Sequence, residues 1–347
     1  MAGGPGLKSL NDLAREVGGR LEGPADTEIS GVGSLQSAGE GDVTFIVAEE
    51  HAAAWKDSKA SAAIANEQLD LQDEDPPRPI IRVEDAEQAM ISVLELFESD
   101  RPMPEPGIDS TARIGRDCTI GDGCRIGTGV SIGDRCTIGN DVVIHPGVVI
   151  YGDVRIGDGC ELHSNTSIRE RSVLGNGVIL HSGVVIGSDG FGYRPTADGS
   201  RLRKMPHVGN VFLEDMVEIG ANTCIDRGKF DATVVGAGTK IDNLCQVAHN
   251  CRIGRCCVIA GSTGIAGSVT IGDGVQIGGH VGIAEHLHIG DGARIGAKSG
   301  VMKDVPAGET QVGLPAREAG QQLRTVAALN KLPDWSRKLR KLLAAED

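Results

Sequence analysis

Three groups of side chains in this 347-residue sequence have chemistry that their neighbours do not account for. In "IDNLCQVAHNCRIG" (Ile241–Gly254), Asp242, His249 and Asn250 interrupt a run of aliphatic, small and polar residues. A single histidine can act as a general base, because its unperturbed pKa of about 6.5 lies near working pH. Asp242, seven residues earlier, could orient that imidazole or hold a substrate cation. Gly267 lies 18 residues beyond His249, in "AGSTGIAGS", and the N–H of a bare glycine can stabilise an oxyanion. His286 lies 37 residues beyond His249, with His280 and His288 near it, so a three-histidine zinc site enters consideration. Against it, no carboxylate or second histidine stands at an obvious ligand spacing to His249.

The second group is "GSDGFGYR" (Gly187–Arg194), followed by a polar excursion to about Asn210. Phe191 and Tyr193 are two of only nine aromatics in the chain. A loop of this kind costs ordering entropy, so it is expected to wall a ligand pocket at a subunit seam or to pack on a neighbouring subunit. In "IDRGKFDATVVG" (Ile225–Gly236), Asp226, Arg227 and Asp231 suggest a local ion-pair network. The third group is His145, His163 and His181, evenly 18 apart. Such regularity points to a seam between subunits, with a metal ladder as the other reading.

The elements that position these residues follow from one count. From Ile108 to Ile186 every sixth residue is Ile or Leu, and a second run steps by six from Ile241 to Val301. The step from 186 to 241 is 55, so the chain between the runs carries an insertion. An even period keeps each aliphatic on one face of an extended chain and does not match the 3.6-residue helix. This is the hexapeptide signature of a parallel β-helix, in which three units make one triangular coil. Residues 18 apart then stack about 4.8 Å apart, and His249 and His286 lie on one side, roughly 10 Å apart along the axis. Glycine commonly follows the aliphatic, for positive φ or for close approach. Seven of the nine cysteines (Cys118, Cys124, Cys136, Cys160, Cys245, Cys251 and Cys257) fall two residues before an aliphatic and should point inward as small thiols.

Residues 1–100 lack this period and read as a compact α/β domain. Leu7–Val17 and Ala86–Phe97 have helical spacing, and Asp42–Val47 and Pro79–Val83 read as strands. "RPMPEPG" (Arg101–Gly107) links this domain to the coil, "VGLPA" (Val312–Ala316) ends the coil, and residues 314–347 read as a helical segment. The net charge of −14 argues against nucleic acid or an anionic membrane surface as partner. With no apolar stretch long enough to span a bilayer and no signal-like opening, the expectation is a soluble cytoplasmic protein.

In this order and on this coil, "SDGFGY", "IDRG", "IDNLCQVAHNCRIG", "IAGSVTIG" and "VGLPA" resemble the UDP-3-O-(3-hydroxyacyl)glucosamine N-acyltransferases of lipid A biosynthesis. The N-terminal "LNDLAREVGGRLEG", "GDVTFIV" and "PIIRVEDAEQAMISVLELF" resemble that family's uridine-binding domain. The resemblance implies a mainly β protein with a left-handed parallel β-helix over 101–313, after the α/β domain (1–100) and before the helical segment (314–347). It also implies a homotrimer with active sites between coils of adjacent subunits. The reaction implied is transfer of a 3-hydroxyacyl chain from an acyl carrier protein thioester to the 2-amine of UDP-3-O-(3-hydroxyacyl)glucosamine, with no metal and no free cofactor. His249 matches the catalytic base, Gly267 the oxyanion donor, His286 a substrate-contacting histidine, and Asp242 the same motif. Phe45 matches the aromatic that stacks on uracil. Where an asparagine and a tyrosine commonly follow Phe45, this chain has Ala48 and His51, and His51 could still stack. Arg337, Lys338, Arg340 and Lys341 would suit an acidic carrier protein. Other readings on the same coil are a coenzyme-A-dependent sugar acetyltransferase, a zinc-dependent carbonic anhydrase of the γ type, and a non-enzymatic structural solenoid.

Overall fold

The computed structural model describes residues 8–71, 77–98, 101–313 and 316–343, with side chains to residue 340. Leu7, Leu314–Pro315 of the expected coil terminus and the Lys341 side chain lie outside the described residues. The chain forms two compact units, Met1–Pro102 and Met103–Asp347.

The second unit is a parallel β-helix whose three faces carry 11, 10 and 9 strands, nearly all two residues long. On one face Ile126, Ile144, Leu162, Leu180, Ile219, Ile241, Ile259, Ile277 and Ile295 stand in direct register. The steps of 39 from Leu180 to Ile219 and 22 from Ile219 to Ile241 show how the insertion is absorbed. Each replaces a step of 18, so extra chain leaves the lattice as loops while the strands keep their pairing. The core is one continuous stack of aliphatics and small thiols. Each fully buried isoleucine contributes roughly 1.5–3 kcal/mol by leaving water, so the repetition of one modest contact supplies what aromatic volume does elsewhere. Of the seven cysteines expected inside, six are buried and Cys118 is half-buried near the open first coil. Burial pushes the Cys160 and Cys251 thiols up to about 11, which keeps them protonated.

The glycine that commonly follows a repeat aliphatic proves to be mostly a matter of space. A Cβ on Gly254 would come within 2.5 Å of the Gly272 backbone on the next coil. Many left-handed corner positions are instead held by non-glycine residues, among them Asn250, Ser268 and His286, with φ of 61, 62 and 61°. Residues 187–210 form the large excursion, whose hairpin pairs Tyr193–Pro195 with Leu202–Lys204.

The first unit has a five-stranded sheet in the order Arg20–Glu22, Ile80–Val83, Ala62–Asn66, Asp42–Ile46, Gly31–Val32. Helices Leu10–Glu16 and Ala86–Phe97 pack on one apolar cluster, and Asp85 caps the second by accepting from the N–H groups of Glu87 and Gln88. The short helix Glu49–Trp55 has no aliphatic period to announce it and begins at Ala48, which offers no capping side chain. A 25-residue helix, Ala319–Leu343, closes the second unit; it carries Pro333 and is almost wholly exposed. Among the described residues no helix is long and apolar enough to cross a membrane.

Candidate active site

His249 stands at a corner of the coil, just beyond the strand Gln246–Val247. Asn250 Oδ1 accepts the backbone N–H of Lys229 at 2.9 Å and faces His249 Nδ1 at 3.0 Å. A backbone N–H only donates, so the amide oxygen must point this way, and Nδ1 must carry the imidazole proton. The basic lone pair is thereby placed on Nε2. That edge of the ring faces Gly267 on the next coil, where a Cβ would come within 2.9 Å of Nε2 and 2.8 Å of Cε1. Glycine is needed there for space. The Gly267 N–H donates to no described residue, while its carbonyl accepts from His286 N at 3.1 Å. A free base nitrogen beside a free N–H is the arrangement that proton removal and oxyanion stabilisation require.

The 187–210 excursion folds back onto this corner. Gly190 of the "SDGFGY" motif lies against His249, with a would-be Cβ 2.8 Å from His249 Cδ2. Phe191 and Tyr193 form an edge-to-face pair with centroids 5.2 Å apart and stay exposed, Phe191 at 86%. The anchor of the loop is Arg227. Its guanidinium, 2% exposed, donates from Nε to Gly187 O at 2.7 Å and from Nη1 to Glu170 at 2.7 Å. Burial works against Glu170 ionising, but the hydrogen bond and charge of Arg227, with the bonds from the Glu170 backbone N–H and from Arg169, together outweigh it and hold the carboxyl at about 2. The expected local network is therefore corrected. Arg227 reaches back to Glu170 and Gly187 rather than to Asp231, and Asp226 bonds Ser188 Oγ at 2.7 Å and Gln246 Nε2 at 3.0 Å. Chain neighbours are turned apart by strand alternation, so the long-range partners win.

One residue of the site has no signal in the sequence. His207, at the end of the excursion, is buried with its ring centroid 4.9 Å from that of His249. It falls outside any repeat, and only the return of the loop brings it there.

The other expected residues lie apart. Asp242 sits at a different corner, where its carboxylate accepts from Asn243 N and Nδ2 and from Gly261 N. It lines a groove of about 650 Å³ with His181, Glu218, Lys240 and Val258, and His249 is not part of that lining. His286 shares the His249 corner two coils on, but it is exposed and occupies the left-handed turn position. Phe45 and His51 fall on one cleft of about 470 Å³ in the first unit, with Ser34, Gln36, Glu87 and Met90.

His145, His163 and His181 stack as their spacing requires, with centroids 4.7 and 5.1 Å apart and planes 6 and 9° from parallel. Glu161 takes both His145 Nε2 at 2.8 Å and His163 Nε2 at 3.4 Å, and Glu218 takes His181 Nε2 at 2.9 Å. Among the described residues, His145, Glu161 and His163 alone bring three metal-ligating atoms within 4.8 Å of one another. Ring lone pairs lie in the ring planes, so these parallel imidazoles aim side by side rather than at a point about 2.0 Å from both, as zinc demands. The geometry suits a carboxylate-bridged ladder. His280, His286 and His288 form no such group.

Comparison with known proteins bears on the whole chain. Residues 26–96 match the family described as UDP-3-O-(3-hydroxymyristoyl) glucosamine N-acyltransferase, and five segments between 111 and 303 match the bacterial transferase hexapeptide repeat. The chain is 42% identical over 342 residues to UDP-3-O-acylglucosamine N-acyltransferase 1 of Francisella tularensis subsp. holarctica, covering 96% of each. It is 49% identical over 333 residues to UDP-3-O-acylglucosamine N-acyltransferase 3 of Gloeobacter violaceus, covering 96% of this chain and 95% of that one. Among solved structures, LpxA from Acinetobacter baumannii aligns at 26% identity over 60% of this chain and 72% of that chain, with a TM-score of 0.47.

Proposed function

Because the chain belongs to the UDP-3-O-acylglucosamine N-acyltransferase family, an acyltransferase family of lipid A biosynthesis, we propose that it carries out the transfer with His249 as base and the Gly267 N–H as oxyanion donor. The observation that carries this assignment is the pairing of a tautomer-fixed Nε2 with an unoccupied backbone N–H across one coil step. As the substrate's 2-amine attacks the thioester carbonyl, a C–N bond forms and His249 Nε2 takes the amine proton. The carbonyl oxygen, now negative, is held by Gly267 N–H. Collapse breaks the C–S bond, and the proton passes from His249 to the leaving thiolate, so amide and thiol are the products. No metal and no free coenzyme enters this sequence.

The acyl donor in this reading is an acyl carrier protein thioester. The Ala319–Leu343 helix supports it, offering Arg337, Lys338 and Arg340 beside exposed Leu332, Trp335 and Leu339 to an acidic partner. The cleft with Phe45 and His51 has the aromatic and polar lining that a uracil ring and ribose need, so we assign it the nucleotide. Phe191 and Tyr193, solvated in the single chain, are assigned to the acyl-chain wall at a seam between subunits of a homotrimer, with Asp242 and His286 offered to substrate from the same seam. Free cysteines throughout suit the cytoplasm.

The assay is transfer from a 3-hydroxyacyl carrier protein to UDP-3-O-acylglucosamine. His249→Ala should lower kcat/KM by roughly two to four orders of magnitude while the thermal transition is kept. A variant as active as wild type would overturn the base, and an inactive wild type would overturn the donor and acceptor pair.

A further inference from the structure

Among the described residues His207 packs its ring on that of His249, with centroids 4.9 Å apart, and the reaction above does not use it. Its Nδ1 lies 3.0 Å from Met205 O, an acceptor only, so Nδ1 carries the proton and Nε2 is a bare lone pair. That Nε2 is fully buried, and among the described residues nothing donates to it. An unsatisfied buried acceptor costs roughly 1–3 kcal/mol, so it calls for an explanation. Its position supplies one. His207 Nε2 and His249 Cδ2 lie 2.6 and 2.8 Å from the same point, the missing Cβ of Gly190. Both atoms thus border the space that glycine leaves at residue 190, and Cδ2 is the ring atom next to His249 Nε2.

We propose that His207 is a positioning residue for the base: its neutral imidazole, lone pair toward His249, stabilises the imidazolium that His249 becomes during transfer. A fixed dipole in a dry site favours a charge that develops beside it without having to reorganise. His207 itself stays neutral, because burial first, and then the neighbouring His249, push its pKa below the ordinary histidine value. The other charged groups acting on the pair are Asp226, Asp189 and Lys229. Asp226 is bonded by Ser188 and Gln246, although burial raises its carboxyl, and Asp189 is held low by its bond to Lys204. A second imidazole here also explains why residue 190 is glycine, since any side chain would separate the rings.

The inference rests on the base assignment, and two measurements keep the two apart. His207→Phe preserves the ring and its exclusion of water but removes the lone pair; His207→Met serves if the phenylalanine variant does not fold. Proton NMR titration of His249, which needs no substrate, should show its pKa lower by about half a unit in the variant, since the lost dipole favoured the charged form. The acid limb of kcat/KM should move down by the same amount, with kcat reduced roughly tenfold and KM unchanged. His207→Gln, which can present an oxygen, should recover most of the rate. A His249 pKa unchanged or raised in the phenylalanine variant would overturn the inference, as would equal loss in both variants with no movement of the limb. Failure of His249→Ala to reduce the rate would instead strike the base assignment, whatever the titration shows.

Discussion

Two corners of one solenoid carry histidines, and they are built on opposite plans. At the ladder corner His145, His163 and His181 recur every coil, stack face to face and share the carboxylates of Glu161 and Glu218. At the other corner the His249 imidazole lies between a glycine of the next coil and a loop that has left the lattice. In the ladder the carboxylates of Glu161 and Glu218 take the Nε2 atoms of the rings, so that little chemistry is left over. At His249, Asn250 consumes one nitrogen, Gly267 clears space before the other, and His207 leaves an acceptor unpaired. Periodicity serves the scaffold, and its interruption leaves polar groups unpaired.

The contrast can be broken first at Gly190. A methyl group there would press on both His207 and His249, so Gly190→Ala should lower kcat/KM by about 10- to 100-fold, the scale of a displacement near 1 Å at reacting groups. Gly264→Ala, where a Cβ meets open space, is the matched control and should stay within about twofold in the same acyl-transfer assay. Equal effects would mean that crowding at the His249 corner is not special.

Glu170 gives the next effect, on stability rather than rate. Its carboxyl is held at about 2 against an ordinary 4.5, so its bond to Arg227 contributes above pH 4.5. That contribution is lost as pH falls from 4.5 toward 2. Glu170→Gln should therefore melt below wild type at pH 7, and the gap should close through that window in thermal scans. A gap that persists at pH 2 would show that shape, not charge, holds the loop anchor.

The smallest effect is expected in the ladder. Glu161→Gln keeps an acceptor for the rings and should change stability by under about 1 kcal/mol, with transfer activity unaltered. A large loss of activity would erase the distinction between the two corners.

Much of the first comparison is legible in the sequence. The step of six places Ile241, Val247 and Ile253 in the wall, and the spacing of 18 already demands a histidine stack. His249 is visible as an exception to that step, and the helix Ala86–Phe97 appears with both its bounds because its apolar spacing and its Asp85 cap agree. The short helix Glu49–Trp55 and the strand Ala62–Asn66 are not visible, since one lacks a period and the other is too alanine-rich to display alternation. The link from Arg227 to Glu170, 57 residues earlier, has no local pattern to reveal it.

A repeat whose every unit makes the same contact determines its own register, so the amino-acid order by itself settled the solenoid, its inward thiols and the rank of residues around His249. What depended on tertiary structure was everything outside the repeat. An inserted loop is bound by no period, and only its return across the coil decided that His207 and Gly190 would meet His249. The same return showed Arg227 to be its anchor, and the coil set Asp242 at another corner. Local spacing encodes contacts between neighbours in a lattice; contacts made by chain that leaves the lattice are chosen by packing and by the need to pair buried charge.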